Sequence, residues 1–195
     1  MRCLEIGPGN KPIPGFETYN LDAKRKTDGK DSTYTGDARD LQIFNDETFD
    51  VVYASHIIEH IQWYQVEDTI NEWTRILKPG GRLEIFTVDF YKIAKAIVEY
   101  EETGWWNGPN IRKEWKTEPV ATFINGDPYK WASGRLMSYP RTGDYDANLH
   151  RAVLTPKYLE TVFKKAGLKN IKRLSNKDVR GTNHGWINMG LVGIK

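Results

Sequence analysis

Short apolar runs alternate with amphipathic ones along most of this chain. Leu4 and Ile6 flank Glu5 and run straight into Gly7-Pro8-Gly9, a strand ending in a Gly-x-Gly turn. Residues 19–22 and 35–39 read as the ends of a second and a third strand. Residues 49–54 form a fourth, mostly apolar strand. Val66, Ile70, Trp73 and Leu77 recur at helical spacing and predict a helix over 64–77. Lys78-Pro79-Gly80-Gly81 stops it, and a strand over 82–88 follows. Ile93, Ala96, Ile97 and Tyr100 share one face of a helix over 91–102. Thr155 is a good N-cap with Pro156 at the first helical position. Tyr158, Leu159, Val162, Phe163 and Ala166 form the stripe of that helix, and Gly167 ends it. Closing strands are predicted over 170–174 and 185–194.

Strands alternating with helices indicate a mostly parallel sheet covered by helices, hence an α/β class. Ligands of such sheets bind beyond the carboxyl ends of the strands. Glu5, Asp22 and Asp37 all fall at such ends. One crossover is too short: residues 10–16 hold Pro12 and Pro14, and a helical crossover needs about 10–12 residues. The first crossover helix is therefore expected to be missing, leaving one sheet face thinly covered. Between about 103 and 149 the periodicity fails, yet Trp105, Trp106, Trp115, Tyr129, Trp131, Tyr139 and Tyr145 fall there. Such aromatic density argues against disorder. The insertion reads as a lid over the carboxyl edge of the sheet, or as cover for the bare face.

The 195 residues suit one domain, 1–195. The balance of 28 basic and 26 acidic residues, net +2, argues against a nucleic-acid partner. Cys3 is the single cysteine, which excludes an intramolecular disulfide and fits a reducing, cytoplasmic setting. Neither a signal-peptide pattern nor an apolar run long enough to cross a bilayer is visible.

The ordered set Glu5-Ile6-Gly7-Pro8-Gly9, Asp22, Gly36-Asp37-Ala38, the 49–55 strand, Glu59-His60 and the 75–83 turn resembles the class I S-adenosylmethionine (SAM)-dependent methyltransferases. It covers roughly the first half of the chain. The stretch from Gly7 to Gly15 is similar to small predicted methyltransferases of the methyltransferase type 11-like group, some associated with surface-polysaccharide assembly. The resemblance implies a three-layer Rossmann-like fold with a seven-strand, mostly parallel sheet, its last strand antiparallel and inserted beside the fifth. It implies SAM as cofactor. Gly7, Pro8 and Gly9 would pass backbone under its methionine end, with Glu5 near the amino group. Asp22 would accept from the ribose hydroxyls, and Asp37 with Ala38 would read the adenine edge. Ala54, Ser55 and His56 would lie under the sulfonium.

The expected reaction is methyl transfer to a small-molecule or carbohydrate-like acceptor, most plausibly at oxygen. A hydroxyl acceptor benefits from a base, and His56, His60 and His150 are the candidates. The string His56-Ile57-Ile58-Glu59-His60 matches a zinc-peptidase pattern, but it follows a sheet strand and does not sit mid-helix. Some RNA 2′-O-methyltransferases and ubiquinone-pathway O-methyltransferases carry Glu-x-x-Glu-His here and bind a divalent ion. In this chain His56 replaces the first Glu, and the reading adopted is a site without metal. Lys24-Arg25-Lys26 reads as a solvated turn or an anion contact. Tyr53-Ala54-Ser55-His56 stands where base-amino methylases carry Asn/Asp-Pro-Pro-aromatic, which counts against that activity. A nicotinamide oxidoreductase shares the strand–glycine–acid logic, but Pro12 occupies its third glycine position. A non-catalytic SAM-binding module acting with a partner is the other alternative.

Overall fold

The computed structural model describes residues 1–9, 12–21, 32–106, 127–137 and 149–195. Seven strands form one sheet: β1 (Cys3–Ile6), β2 (Glu17–Asn20), β3 (Tyr34–Thr35), β4 (Phe49–Ser55), β5 (Leu77–Val88), β6 (Lys169–Leu174) and β7 (Asn188–Ile194). Their order is β3-β2-β1-β4-β5-β7-β6. The first five are mutually parallel, and β7 runs antiparallel to both β5 and β6. The last strand is thus inserted beside β5.

Four helices are described: α1 (Val66–Arg75), α2 (Phe90–Thr103), α3 (Pro128–Leu136) and α4 (Pro156–Lys165). Their starts follow capping chemistry. Asp89 accepts from the N–H groups of Tyr91 and Lys92, Asp127 from those of Tyr129 and Lys130, and Thr155 from that of Tyr158. α1 starts at Val66, after a 3-10 turn over Trp63–Gln65. α3 lies inside the stretch where sequence periodicity fails, because its apolar face is short: only Trp131, Ala132 and Gly134 are buried.

β5 begins at Leu77, five residues before the expected start at 82. Gly80 N–H donates to the Lys195 carbonyl and Lys195 N–H to the Gly81 carbonyl, so the Pro-Gly-Gly stop is drawn into the sheet. β7 starts at Asn188, since Gly185–Ile187 closes into a 3-10 turn.

The two sheet faces are covered unequally. Leu4, Ile6, Val52, Ala54, Leu83, Ile85, Met189 and Leu191 point to one side and join apolar residues of all four helices in one cluster. Tyr53 and Phe86 point to the other side, where Ile13, Phe16, Leu174 and Val179 pack on them. Among the described residues, no helix contributes to that second cluster. The short β1–β2 link and the β6–β7 connection therefore cover the face left by the missing crossover helix. Arg180 lies over the rings of Phe16 and Tyr53, with its guanidinium carbon 5.1 and 4.7 Å from their centroids. The described aromatics of the insertion pack elsewhere. Trp131 is buried and packs edge to face on Trp106 and tilted against Trp186, at 5.2 and 6.1 Å between centroids. Trp115, Tyr139 and Tyr145 lie outside the described residues.

Candidate active site

The parallel register brings the ends of β1 and β4 side by side, with Ile6 opposite Ala54. Beyond β1, Gly7 (φ 66°) and Gly9 (φ 53°) turn in the left-handed region that glycine adopts at little cost. Gly7 N–H donates to the Tyr19 carbonyl at 2.8 Å, and a Cβ on Gly7 would meet Ile57 Cδ1 at 1.9 Å. Pro8 is buried beside this turn. Glu5 is buried on the thinly covered face, and its Oε2 accepts the Ile13 N–H at 2.7 Å. It thereby ties the proline-bearing link to the sheet.

Asp37 follows β3 at the same edge. Arg39 donates to it from its backbone and its guanidinium, down to 2.5 Å, and holds the carboxyl below the usual range. The Ala38 carbonyl accepts the Trp73 indole N–H at 2.7 Å. Glu5, Gly7, Pro8, Gly9, Asp37, Ala38, Ala54, Ser55 and His56 thus line one edge. Asp22 and Lys24-Arg25-Lys26 lie outside the described residues.

The β6–β7 connection crosses this edge. Tyr53 Oη accepts from the N–H groups of Arg180 and Gly181, both at 3.1 Å. Ser55 Oγ donates to the Thr182 carbonyl at 2.9 Å. Gly181 is packed so that a Cβ there would lie 3.3 Å from Ser55 Cβ and 3.6 Å from Glu5 Oε1. Sequence reasoning passed over this strap; the turn formers Gly181, Asn183 and Gly185 were its only local signal.

His56 ends β4 with φ 56°, a left-handed backbone unusual for a non-glycine residue. Its Nδ1 lies 2.8 Å from Glu59 Oε1 and its Nε2 lies 3.1 Å from Asn188 Oδ1. Asn188 Oδ1 also accepts the His184 N–H, and its Nδ2 donates to Asn183 Oδ1, which fixes the amide orientation. Both His56 nitrogens are therefore engaged, Nδ1 with buried Glu59 and Nε2 with Asn188. The expectation that His56 serves as a base is not met by this geometry: both ring nitrogens are already hydrogen-bonded within the protein. His184 packs edge-on against it at 4.2 Å, and burial with the charges of His56 and Arg135 pushes His184 down to about 3.

His60 and His150 are arranged differently. His60 Nδ1 donates to the Leu149 carbonyl at 3.1 Å, and His150 Nδ1 to the Arg135 carbonyl at 2.8 Å. A ring that donates from Nδ1 to a carbonyl and is otherwise neutral keeps a lone pair on Nε2. The rings lie 5.0 Å apart. Burial pushes the His150 imidazole below its ordinary range, although Glu59 opposes this. The Ile58–His60 3-10 turn and the 149–152 segment are stitched by the N–H groups of Arg151 and Ala152 donating to the Glu59 carbonyl. Burial alone would raise the Glu59 carboxyl, but the neighbouring imidazoles, His56 foremost, bring it to about 2.

A family model described as a methyltransferase domain matches residues 16–85. A SAM-dependent methyltransferase from Thermotoga maritima superposes over 100% of this chain and 82% of its own, with TM-score 0.57 and 17% identity. One from Archaeoglobus fulgidus does so over 100% and 86%, with TM-score 0.54 and 14% identity. The chain thus shares its fold with SAM-dependent methyltransferases and carries a stretch over 16–85 that matches a methyltransferase domain model. The CurJ carbon methyltransferase matches over 100% of this chain and 48% of its own, with TM-score 0.52 and 16% identity. This chain therefore spans about half of that larger protein. Among curated proteins none matches in sequence.

SAM is the cofactor implied by this match. The edge suits it: two left-handed glycines allow close backbone approach, and carboxylates stand at the ends of β1 and beyond β3. Bound there, SAM supplies an electrophilic methyl on a sulfonium. No described helix is long and apolar enough to cross a membrane.

Proposed function

We propose that this chain is a cytoplasmic enzyme that moves the methyl group of SAM to the oxygen of a small-molecule or carbohydrate-like hydroxyl. The observation carrying this reading is the His60–His150 pair, two rings 5.0 Å apart and each anchored through Nδ1 to a backbone carbonyl, which leaves Nε2 to face an acceptor. A hydroxyl is a poor nucleophile until it loses its proton, and a positioned imidazole supplies a proton acceptor. In this reading Glu5, Gly7, Pro8, Gly9, Asp22, Asp37 and Ala38 hold the cofactor, and Ala54, Ser55 and His56 form the floor under its sulfonium. The strap over 180–182 closes the methionine end. His56 and Glu59 act as a rigid hydrogen-bonded pair that shapes the turn carrying His60.

The preference for a sugar-like acceptor rests on Trp63 and Tyr64. Both are exposed, pack edge to face at 5.5 Å, and follow His60 by three and four residues. Exposed aromatic faces of this kind stack on the apolar faces of sugar rings while their polar tips stay in water. In-line transfer then gains chiefly from holding donor and nucleophile in attack geometry.

Calorimetry with SAM and NADH on wild type and on Asp22→Ala tests this. Expected are SAM binding by wild type, its loss in the variant, and turnover of SAM in an acceptor screen begun with sugars. NADH binding in place of SAM would favour the oxidoreductase. SAM binding without turnover on any acceptor would favour a binding module.

A further inference from the structure

Glu59 Oε2 is buried and has no hydrogen-bond partner among the described residues. An orphaned carboxylate oxygen in the interior is costly unless a cation meets it. One ligand atom from each of Glu59, His60 and His150 lies within 4.8 Å of the other two. Each imidazole is oriented by a backbone carbonyl on its far nitrogen, the support that ligating histidines commonly have. His56 is not part of the set, because both its nitrogens are used; it holds Glu59 by the other carboxylate oxygen. Three observations of different kinds thus converge: an unpartnered buried oxygen, three ligand atoms within 4.8 Å of one another, and outer bonds that hold each side chain.

We propose that Glu59, His60 and His150 form a binding site for one divalent transition-metal ion, with its remaining positions open to the acceptor hydroxyl. Two imidazoles and one carboxylate form the ligand set of open catalytic zinc sites, and nitrogen ligands disfavour Mg²⁺ and Ca²⁺. Bonds of 2.0–2.2 Å in a tetrahedral site place ligand atoms about 3.4 Å apart, so the three close in modestly on binding. The catalytic part of this proposal rests on the methyl-transfer reading; ion binding itself does not. With the ion bound, both imidazoles act through it and no longer take the proton themselves: the hydroxyl oxygen is polarised at the ion and gives its proton to solvent. The resulting alkoxide pair forms the new O–CH₃ bond as the C–S bond pair returns to sulfur, leaving a neutral thioether.

The test is Zn²⁺ calorimetry on the full chain freed of metal by chelator, with Co²⁺ absorption as the spectroscopic signature. Expected are one ion per chain, visible Co²⁺ bands of a low-symmetry nitrogen–oxygen site, and affinity at least about 100-fold lower in each of E59Q, H60Q and H150Q. H60Q changes a partly exposed side chain, and circular dichroism confirms that each variant is folded. Lack of one-to-one binding by folded wild type would overturn the proposal. So would unchanged affinity in H60Q and H150Q, and so would wild-type affinity in E59Q alone, which would exclude the carboxylate. SAM binding measured in chelator separates the two readings: SAM bound without any metal site sinks only this inference, and a metal site without SAM binding sinks only the methyl-transfer reading.

Discussion

His60 and His150 face each other across 5.0 Å, each anchored through Nδ1 to a backbone carbonyl, of Leu149 and Arg135 respectively. The bond from His60 runs to the residue beside His150, so the two rings are positioned as a unit although 90 residues separate them in sequence. Replacing His150 by Ala removes one lone pair and leaves the glycine edge untouched. The expected result is a fall in methyl-transfer rate of about 10²–10⁴ with SAM affinity unchanged. Comparing the SAM-turnover rate with calorimetric SAM affinity checks it; equal loss of both would assign His150 to cofactor binding or to folding.

Gly7 is where the turn and the packing make the same demand. Its φ of 66° and the Ile57 side chain in its Cβ position both exclude a larger residue. Gly7→Ala is expected to cost about 2–5 kcal/mol, from left-handed strain and overpacking. Denaturant unfolding measures it. Adding Ile57→Ala should recover the packing share but not the strain, so the two changes will be non-additive.

Trp131 is 1% exposed and stands between Trp106 and Trp186. It joins α3 to the turn that precedes β7. Trp131→Ala is expected to lower stability by about 3–5 kcal/mol, and Trp131→Phe by less, because an aromatic contact survives. Thermal unfolding of both variants decides whether the described part of the insertion belongs to the folding core; a change within 0.5 kcal/mol, about the scale of surface substitutions, would remove it.

Much of this architecture was legible because β4, α1 and α4 carry their periodicity locally. The missing crossover helix was legible too, since Pro12 and Pro14 forbid it within so short a link. What escaped was long-range. The strap depends on Tyr53 and Ser55 meeting residues 127 and 128 positions later. The engagement of His56 depends on Asn188, 132 positions away. His56, Glu59 and His60 stand at i, i+3 and i+4, a spacing that shares one face only in a helix. The left-handed φ at His56 and the 3-10 turn after it break that helical face, and His150 takes the place beside Glu59 and His60.

Glu72 and Arg75 set part of the acid limb of stability. Arg75 donates to both Glu72 oxygens at 2.8 Å, and the Leu41 N–H adds a third bond, so the folded carboxyl lies below its ordinary value although burial opposes this. A carboxyl lowered in the folded state is protonated first in the unfolded chain as pH falls. Its contribution is complete above the unfolded value, about 4.3, and is lost as pH drops through the lower folded value. Glu72→Gln is therefore expected to be less stable than wild type at neutral pH and to show a shallower decline below pH 4.5. Urea midpoints from pH 7 to pH 3 provide the measurement, and parallel curves for the two proteins would count against it.

Tyr53 holds the strap from below. Its hydroxyl is the acceptor for two successive N–H groups, of Arg180 and Gly181, inside a cluster that contains no residue of a described helix. Phenylalanine fills the same volume, so Tyr53→Phe isolates the hydrogen bonds from the packing. Unsatisfied donors in a partly buried place cost about 1–3 kcal/mol, and the strap can relieve that cost by lifting from the edge, which core strands cannot do. The expected outcome is faster hydrogen exchange at the Arg180 and Gly181 amides, with β4 and β5 amides protected as before. If the strap closes the methionine end of the cofactor, SAM should restore protection at those two amides in wild type and less fully in the variant. Exchange at both amides unchanged by the substitution would show that Ser55 and the Arg180 stack hold the strap without Tyr53.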